Sequence, residues 1–183
     1  MESTVNNRRI VGNASKRRKK MIAFGWYGGK YSHLDFILPN LPNGETHFCD
    51  VFGGSAAVLI NRKPAPLETY NDLDSELVNF FEVLRNDAGE LIRHVGLTPF
   101  SREELVKACT PAPDLSQIER ARRFYVRARQ TRTGLAQTSS EGRWAHCVLT
   151  SRAGMAGAVS RWLGAVDGLP EIAQRLLRVQ IEN

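Results

Sequence analysis

The sequence predicts an α/β fold, and three observations carry that prediction. Two short apolar runs, Thr46 to Val51 and Leu67 to Tyr70, read as strands, and each leads into a segment of helical period. The first ends in a glycine turn, Asp50-Val51-Phe52-Gly53-Gly54-Ser55, and an acid, Asp72, follows about twenty residues later. A strand, a glycine turn and a helix, with an acid at the end of the next strand, can hold an adenosine-type ligand by its ribose hydroxyls.

Taken in order, the elements begin after a basic N-terminal tail. Residues 1 to 20 carry seven basic side chains against Glu2, which reads as a solvated, disordered extension able to add salt-sensitive affinity for a polyanion. Tyr31 to Leu41 reads as a helix with Leu34, Ile37, Leu38 and Leu41 on one face, closed by Pro42-Asn43-Gly44. Strand Thr46 to Val51 leads to a helix over Ser55 to Asn61, and strand Leu67 to Tyr70 leads to a helix over Ser75 to Arg85 with the stripe Leu77, Phe80, Phe81 and Leu84.

Beyond Asn86 the alternation stops. Helices are expected near Ser101 to Ala108 and Ile118 to Gln130, separated by Thr110-Pro111-Ala112-Pro113. Pro170 to Leu177 reads as a helix that returns the chain to the sheet, and Val179 to Ile181 begins another strand.

Composition excludes several classes. At 183 residues and 42% hydrophobic content the chain can bury a core. Cys49, Cys109 and Cys147 are odd in number without CxxC spacing, and the N-terminus has no apolar segment, so reduced thiols and a cytoplasmic location are expected. His33, His47, His94 and His146 are scattered, no metal site is expected, and no span has the length of a membrane helix.

Trp26-Tyr27-Gly28-Gly29-Lys30 puts an aromatic surface, a flexible turn and a cation upstream of the first strand. A phosphate loop needs Ser or Thr after the lysine to reach magnesium, and Tyr31 stands there, so that chemistry is excluded. A bare βα turn remains the alternative for Gly53-Gly54.

Charge is segregated. Residues 31 to 119 hold six basic and fourteen acidic side chains, whereas residues 120 to 161 hold nine arginines against Glu141 alone. Over Ile118 to Ala128 the apolar positions Ile118, Ala121, Tyr125 and Ala128 share one helical face, leaving Arg120, Arg123 and Arg127 on or beside the other. Arg129-Gln130-Thr131-Arg132-Thr133-Gly134 then supplies polar side chains in an expected loop. Such a surface can hold a duplex backbone and read base edges, or its arginines can pair with the acidic body. Trp144 and Trp162 read as core residues.

Gly25-Trp26-Tyr27-Gly28-Gly29-Lys30, Asp50-Val51-Phe52-Gly53-Gly54-Ser55 and Tyr70-Asn71-Asp72-Leu73-Asp74, in that order and spacing, resemble the N-terminal half of Dam-like adenine-specific DNA methyltransferases. The resemblance runs from about Met21 to Asn183 and is strongest from Phe24 to Leu84. It implies a partial Rossmann-like methyltransferase sheet with an inserted, mainly helical DNA-recognition segment. It also implies S-adenosyl-L-methionine as cofactor, held by Trp26, Tyr27, Gly28, Gly29, Lys30, Asp50, Phe52, Gly53, Gly54, Ser55 and Asp72. Double-stranded DNA is the implied partner, contacted by Arg120, Arg123, Arg127, Arg129, Thr131 and Arg132.

On this reading residues 1 to 20 are the tail, 21 to 85 bind the cofactor, 86 to 169 recognise DNA, and 170 to 183 return to the α/β part. Where the family has Glu-Pro-Phe this chain has Asp50-Val51-Phe52, which keeps the acid in shorter form. The family's catalytic Asp-Pro-Pro-Tyr has no counterpart, since no two prolines adjoin, so no catalytic residue is assigned. Leu177 to Asn183 resembles the strand upstream of that motif. The expectation is therefore an N-terminal portion completed by a further segment or a second polypeptide, with a noncatalytic DNA-binding remnant as the alternative.

Overall fold

The computed structural model describes residues 19–132, 143–145, 150–152 and 154–183. It is a mixed α/β structure built on a small parallel sheet of three strands in the order β1-β2-β5: β1 is His47–Val51, β2 is Leu67–Asn71 and β5 is Val179–Glu182. The register places Asp50 beside Tyr70, and Tyr70 beside Ile181. Helices α2 (Ala57–Asn61) and α3 (Ser75–Asn86) follow β1 and β2, α4 is Ala88–Leu97, α5 is Arg102–Cys109, α6 is Gln117–Gln130, α7 is Gly157–Val166 and α8 is Leu169–Leu176. A two-residue antiparallel pair, β3 (Ser151–Arg152) and β4 (Met155–Ala156), precedes α7.

The structure differs locally from the sequence expectation in three places. The predicted helix at 31 to 41 is broken into a 3₁₀ turn (Tyr31–His33), a four-residue helix α1 (Leu34–Ile37) and a second 3₁₀ turn (Leu38–Asn40), and α1 stops where it does because Pro39 has no N–H to continue the ladder. The helix expected from Ser55 starts at Ala57, since Phe52, Gly54 and Ala56 have φ of 61°, 52° and 53° and hold the turn in left-handed conformations. Two further helices, α4 and α7, stand where none was expected; α4 buries Leu91 and Val95, and α7 buries Ala158, Trp162, Ala165 and Val166.

The core is aromatic and continuous. Phe24 packs edge-on to Phe80 at 5.3 Å and to Phe124 at 5.2 Å, Phe80 stacks on Tyr125 at 5.5 Å, and Tyr125 meets Trp162 at 5.5 Å. Helices α6 and α7 therefore share one apolar cluster with α3 and the segment before α1. Trp162 lies within this core and Trp144 packs against it.

One sheet face is buried and the other is largely exposed, except that Thr69 at its centre is buried between His47 and Gln180 and Asn71 is half-buried. Glu68, Tyr70 and Val179 are buried on the inner face, with Phe48, Asp50 and Ile181 partly covered, whereas His47, Cys49, Val51, Leu67, Gln180 and Glu182 on the outer face are exposed. Parallel sheets ordinarily carry helices on both faces. Strand β1 is also an edge of the sheet among the described residues.

Buried charge ties α8 to the sheet. Fully buried Glu68 receives Arg175 at 2.7 Å on both carboxylate oxygens and Arg62 at 3.2 Å, and Arg175 also donates to the Leu59 carbonyl at 2.8 Å. Arg62 in turn pairs with Glu45 and lies over the Phe48 ring.

Candidate functional site

The three sequence motifs meet at the C-terminal ends of β1 and β2. Asn61 accepts from the Met21 N–H and donates to its carbonyl, each at 2.7 Å, which pins the segment that leads to Trp26. Trp26 and Gly29 then close a turn at 3.0 Å, with Gly28 at φ 69° where an L side chain is disfavoured. The Trp26 indole packs near Phe24 and Phe124 and fills the space beside Gly54, where a Cβ would come within 2.8 Å of its ring.

The glycines of the β1 turn are thus required by the protein's own aromatic packing. A Cβ on Gly53 would lie 2.6 Å from Tyr70 Cδ2, and the Tyr70 hydroxyl donates to the Gly54 carbonyl at 2.8 Å. Gly53 donates to the Asn71 carbonyl at 2.9 Å, and Gly54 donates to Asp72 Oδ2 at 2.9 Å. Asp72 Oδ1 accepts from the Asp74 N–H at 3.0 Å, and Asp74 caps α3 by accepting from Glu76 and Leu77. Glycine turn and acid form one hydrogen-bonded unit, and the aromatic turn packs against it through Trp26.

Asp50 serves a second helix. Ala56 gives α2 no side-chain cap, and Asp50 Oδ2 accepts the Leu59 N–H at 3.3 Å in its place. Burial pushes the Asp50 carboxyl up to about 6 and the Asp72 charge adds to this, against the Leu59 hydrogen bond and the charge of Lys30. Lys30 itself is exposed and donates to the Gly28 carbonyl. Tyr27, Phe52 (75% exposed) and Leu73 (78% exposed) present apolar surface to solvent, while Ser55 is buried.

The arginines of the basic segment divide. Arg120 pairs with Glu76 at 2.6 Å, Arg123 with Glu119 at 2.9 Å and the Thr110 carbonyl at 3.0 Å, and Arg127 donates to the Ala108 carbonyl at 2.8 Å. They line a cavity of about 690 Å³ between α3, α5 and α6. Thr131 is buried, its hydroxyl donating to the Arg127 carbonyl at 2.7 Å, whereas Arg132 is exposed. Arg129 lies at the far end of α6, donating to the Arg161 carbonyl at 3.3 Å. Thr133, Gly134, His146 and Cys147 lie outside the described residues.

Sequence reasoning assigned no role to Tyr70, Leu73 or Arg161. Tyr70 could have been found by strand parity: it alternates with Glu68 toward the interior, next to a strand that ends in two glycines. Among the described residues no group of three His, Cys, Asp or Glu side chains is placed to hold a metal, and no helix is long and apolar enough to cross a membrane.

Parallel strands thus deliver a glycine turn and an acid to one point in a mixed α/β protein. Comparison with known proteins narrows the class. Residues 26–156 match the D12 class N6 adenine-specific DNA methyltransferases, and the chain belongs to that family. It is also similar to a DNA N-6-adenine-methyltransferase of Escherichia phage P1, with 33% identity over 92 residues; the similarity covers 46% of this chain and 12% of the phage protein. The chain thus spans about an eighth of the length of that curated relative.

Proposed function

We propose that residues 19 to 183 form the S-adenosylmethionine-binding and DNA-recognition portion of an adenine-specific DNA methyltransferase, on a Rossmann-like sheet. The observation that carries this reading is the hydrogen bond from Gly54 to Asp72 at 2.9 Å, which brings the glycine turn and the acid to one point with Trp26 packed against it.

The donor set suits the cofactor. Each Asp72 oxygen accepts one backbone N–H and retains a lone pair for a ribose hydroxyl. Asp50 is an acid held near 6, and a ligand ammonium beside it would restore its charge. Lys30 complements a ligand carboxylate, and exposed Phe52 and Leu73 offer apolar walls for a base. When bound, the cofactor supplies the methyl group. The chain's own residues bind it, orient it and exclude water from one side of it.

Titration with S-adenosylmethionine tests the site. Wild type should bind, and Asp72→Ala and Lys30→Ala should each weaken binding at least tenfold; equal binding by all three refutes the reading.

Methyl transfer to adenine requires groups that hold the amino hydrogens and stack on an extruded base, and residues 1 to 183 offer no such motif. The largely exposed outer face and free β1 edge favour completion by a further segment or by a second polypeptide. Methylation of duplex DNA by this chain alone would overturn that part of the reading. DNA binding that ignores the cofactor would instead favour a noncatalytic nucleic-acid-binding protein.

A further inference from the structure

Two cavities bordered by α6 among the described residues differ in charge, and the difference favours one of them for a polyanion. The larger, at about 690 Å³, sets Arg120, Arg123 and Arg127 against Asp74, Glu76 and Asp114, so it is balanced. Its arginines are already engaged with Glu76, Glu119 and backbone carbonyls. A phosphate entering there would have to displace carboxylates that stay behind.

The smaller cavity, about 290 Å³, lies where the segment before α1 crosses α7, α8 and the end of α6. Lys19, Lys20, Arg129 and Arg161 line it against Glu171 alone. Lys19 and Arg161 are exposed, and of these four cations only Lys20 forms a side-chain ion pair among the described residues, with Asp35 at 3.0 Å. The hydrogen bond from the Arg129 guanidinium to the Arg161 carbonyl holds α6 and α7 together at this point. The sequence immediately before Lys19 adds Lys16, Arg17 and Arg18.

We propose that this groove, and not the arginine face of α6 beside α3, is where the chain holds the phosphodiester backbone of duplex DNA. The proposal rests on the DNA reading above and locates the contact. Phe124 of α6 touches Trp26 beside the glycine turn, and Arg129 is five residues further along the same helix, about 7.5 Å by helix rise and about 140° around its axis, so the groove opens on a different side of α6 from the turn.

The test is binding of a fluorescent DNA duplex to the full chain, by anisotropy, across a salt series. Removing one phosphate-binding cation should lower the slope of log K against log salt by about one. Arg161→Ala should weaken binding several-fold at about 0.1 M salt and reduce the slope by about one. Lys19→Ala/Lys20→Ala/Arg161→Ala should reduce it by about two to three, while Arg123→Ala should leave the slope unchanged. Thermal midpoints within a degree or two of wild type control for folding.

An unchanged slope in the triple variant, or weakening confined to Arg123→Ala, overturns the groove while the DNA reading stands. Absence of any duplex binding by wild type at low salt overturns the DNA reading itself.

Discussion

The Tyr70 ring occupies the space that a side chain on Gly53 would need, with Cδ2 2.6 Å from the position of such a Cβ, and its buried hydroxyl holds the next carbonyl at 2.8 Å. The turn after β1 is therefore shaped from below by β2. Gly53→Ala should destabilise the fold by about 1–3 kcal/mol through overpacking. Tyr70→Phe, which keeps the ring and removes one hydrogen bond, should cost about 1 kcal/mol. In a Tyr70→Leu background the cost of Gly53→Ala should shrink, because the colliding ring is gone. A double-mutant cycle by chemical denaturation measures this coupling; additive effects would separate the two residues.

Asp50 should trade stability against binding. Its carboxyl titrates near 3.8 when unfolded and is raised to about 6 when folded, so the folded state takes up a proton more readily than the unfolded state between those values. The charged form is thus a liability above about pH 6, worth at most about 3 kcal/mol, which fades as pH falls toward 4. Asp50→Asn should raise the thermal midpoint at pH 8 and leave it near wild type at pH 4. If the acid faces a cofactor ammonium, wild-type affinity should fall as pH drops below about 6, and the variant should lose both the affinity and its pH dependence. Calorimetric titration at pH 5, 6 and 8 reads both.

Glu68 carries the opposite sign. Burial pushes its carboxyl up, but the Arg175 and Ala65 hydrogen bonds and the charges of Arg175 and Arg62 outweigh this and hold it below the usual range. Its contribution is full above the unfolded pKa and is lost as pH falls through the lowered folded value. Glu68→Gln would leave Arg175 and Arg62 buried around a neutral amide and should cost about 3–5 kcal/mol at pH 7. The loss should shrink in acid, measured by urea unfolding at pH 7 and pH 4.

The strands, the apolar stripe of α3 and the meeting of Trp26, Gly54 and Asp72 are legible because each has a local signal: β-branched and aromatic runs, helical spacing, glycine next to an acid. What was not legible depends on partners distant in sequence. The period of α6 separates Arg120, Arg123 and Arg127 from its apolar face, yet they lie half-buried against α3 and α5, and because Glu76 is 44 residues from Arg120 no window reveals the pair. Thr131 reads as a loop donor until the Arg127 carbonyl takes its hydroxyl. Arg161 reads as one surface charge until α7 is set beside Lys19 and Lys20.

Cys49 provides a probe of the exposed sheet face. It sits in the middle of β1, paired in register with Thr69, and points with His47 and Val51 to the exposed side. A hydrogen-bond-ready edge beside a largely exposed face invites another strand and its covering helix. In a Cys109→Ser/Cys147→Ser variant, Cys49 should react readily with a thiol reagent while the chain is alone. Adding a polypeptide that completes the methyltransferase should slow that reaction at least tenfold, as backbone pairing along β1 and cover over the face exclude the reagent. Unchanged labelling in a complex that methylates DNA would mean that the catalytic part docks elsewhere and leaves this face in water.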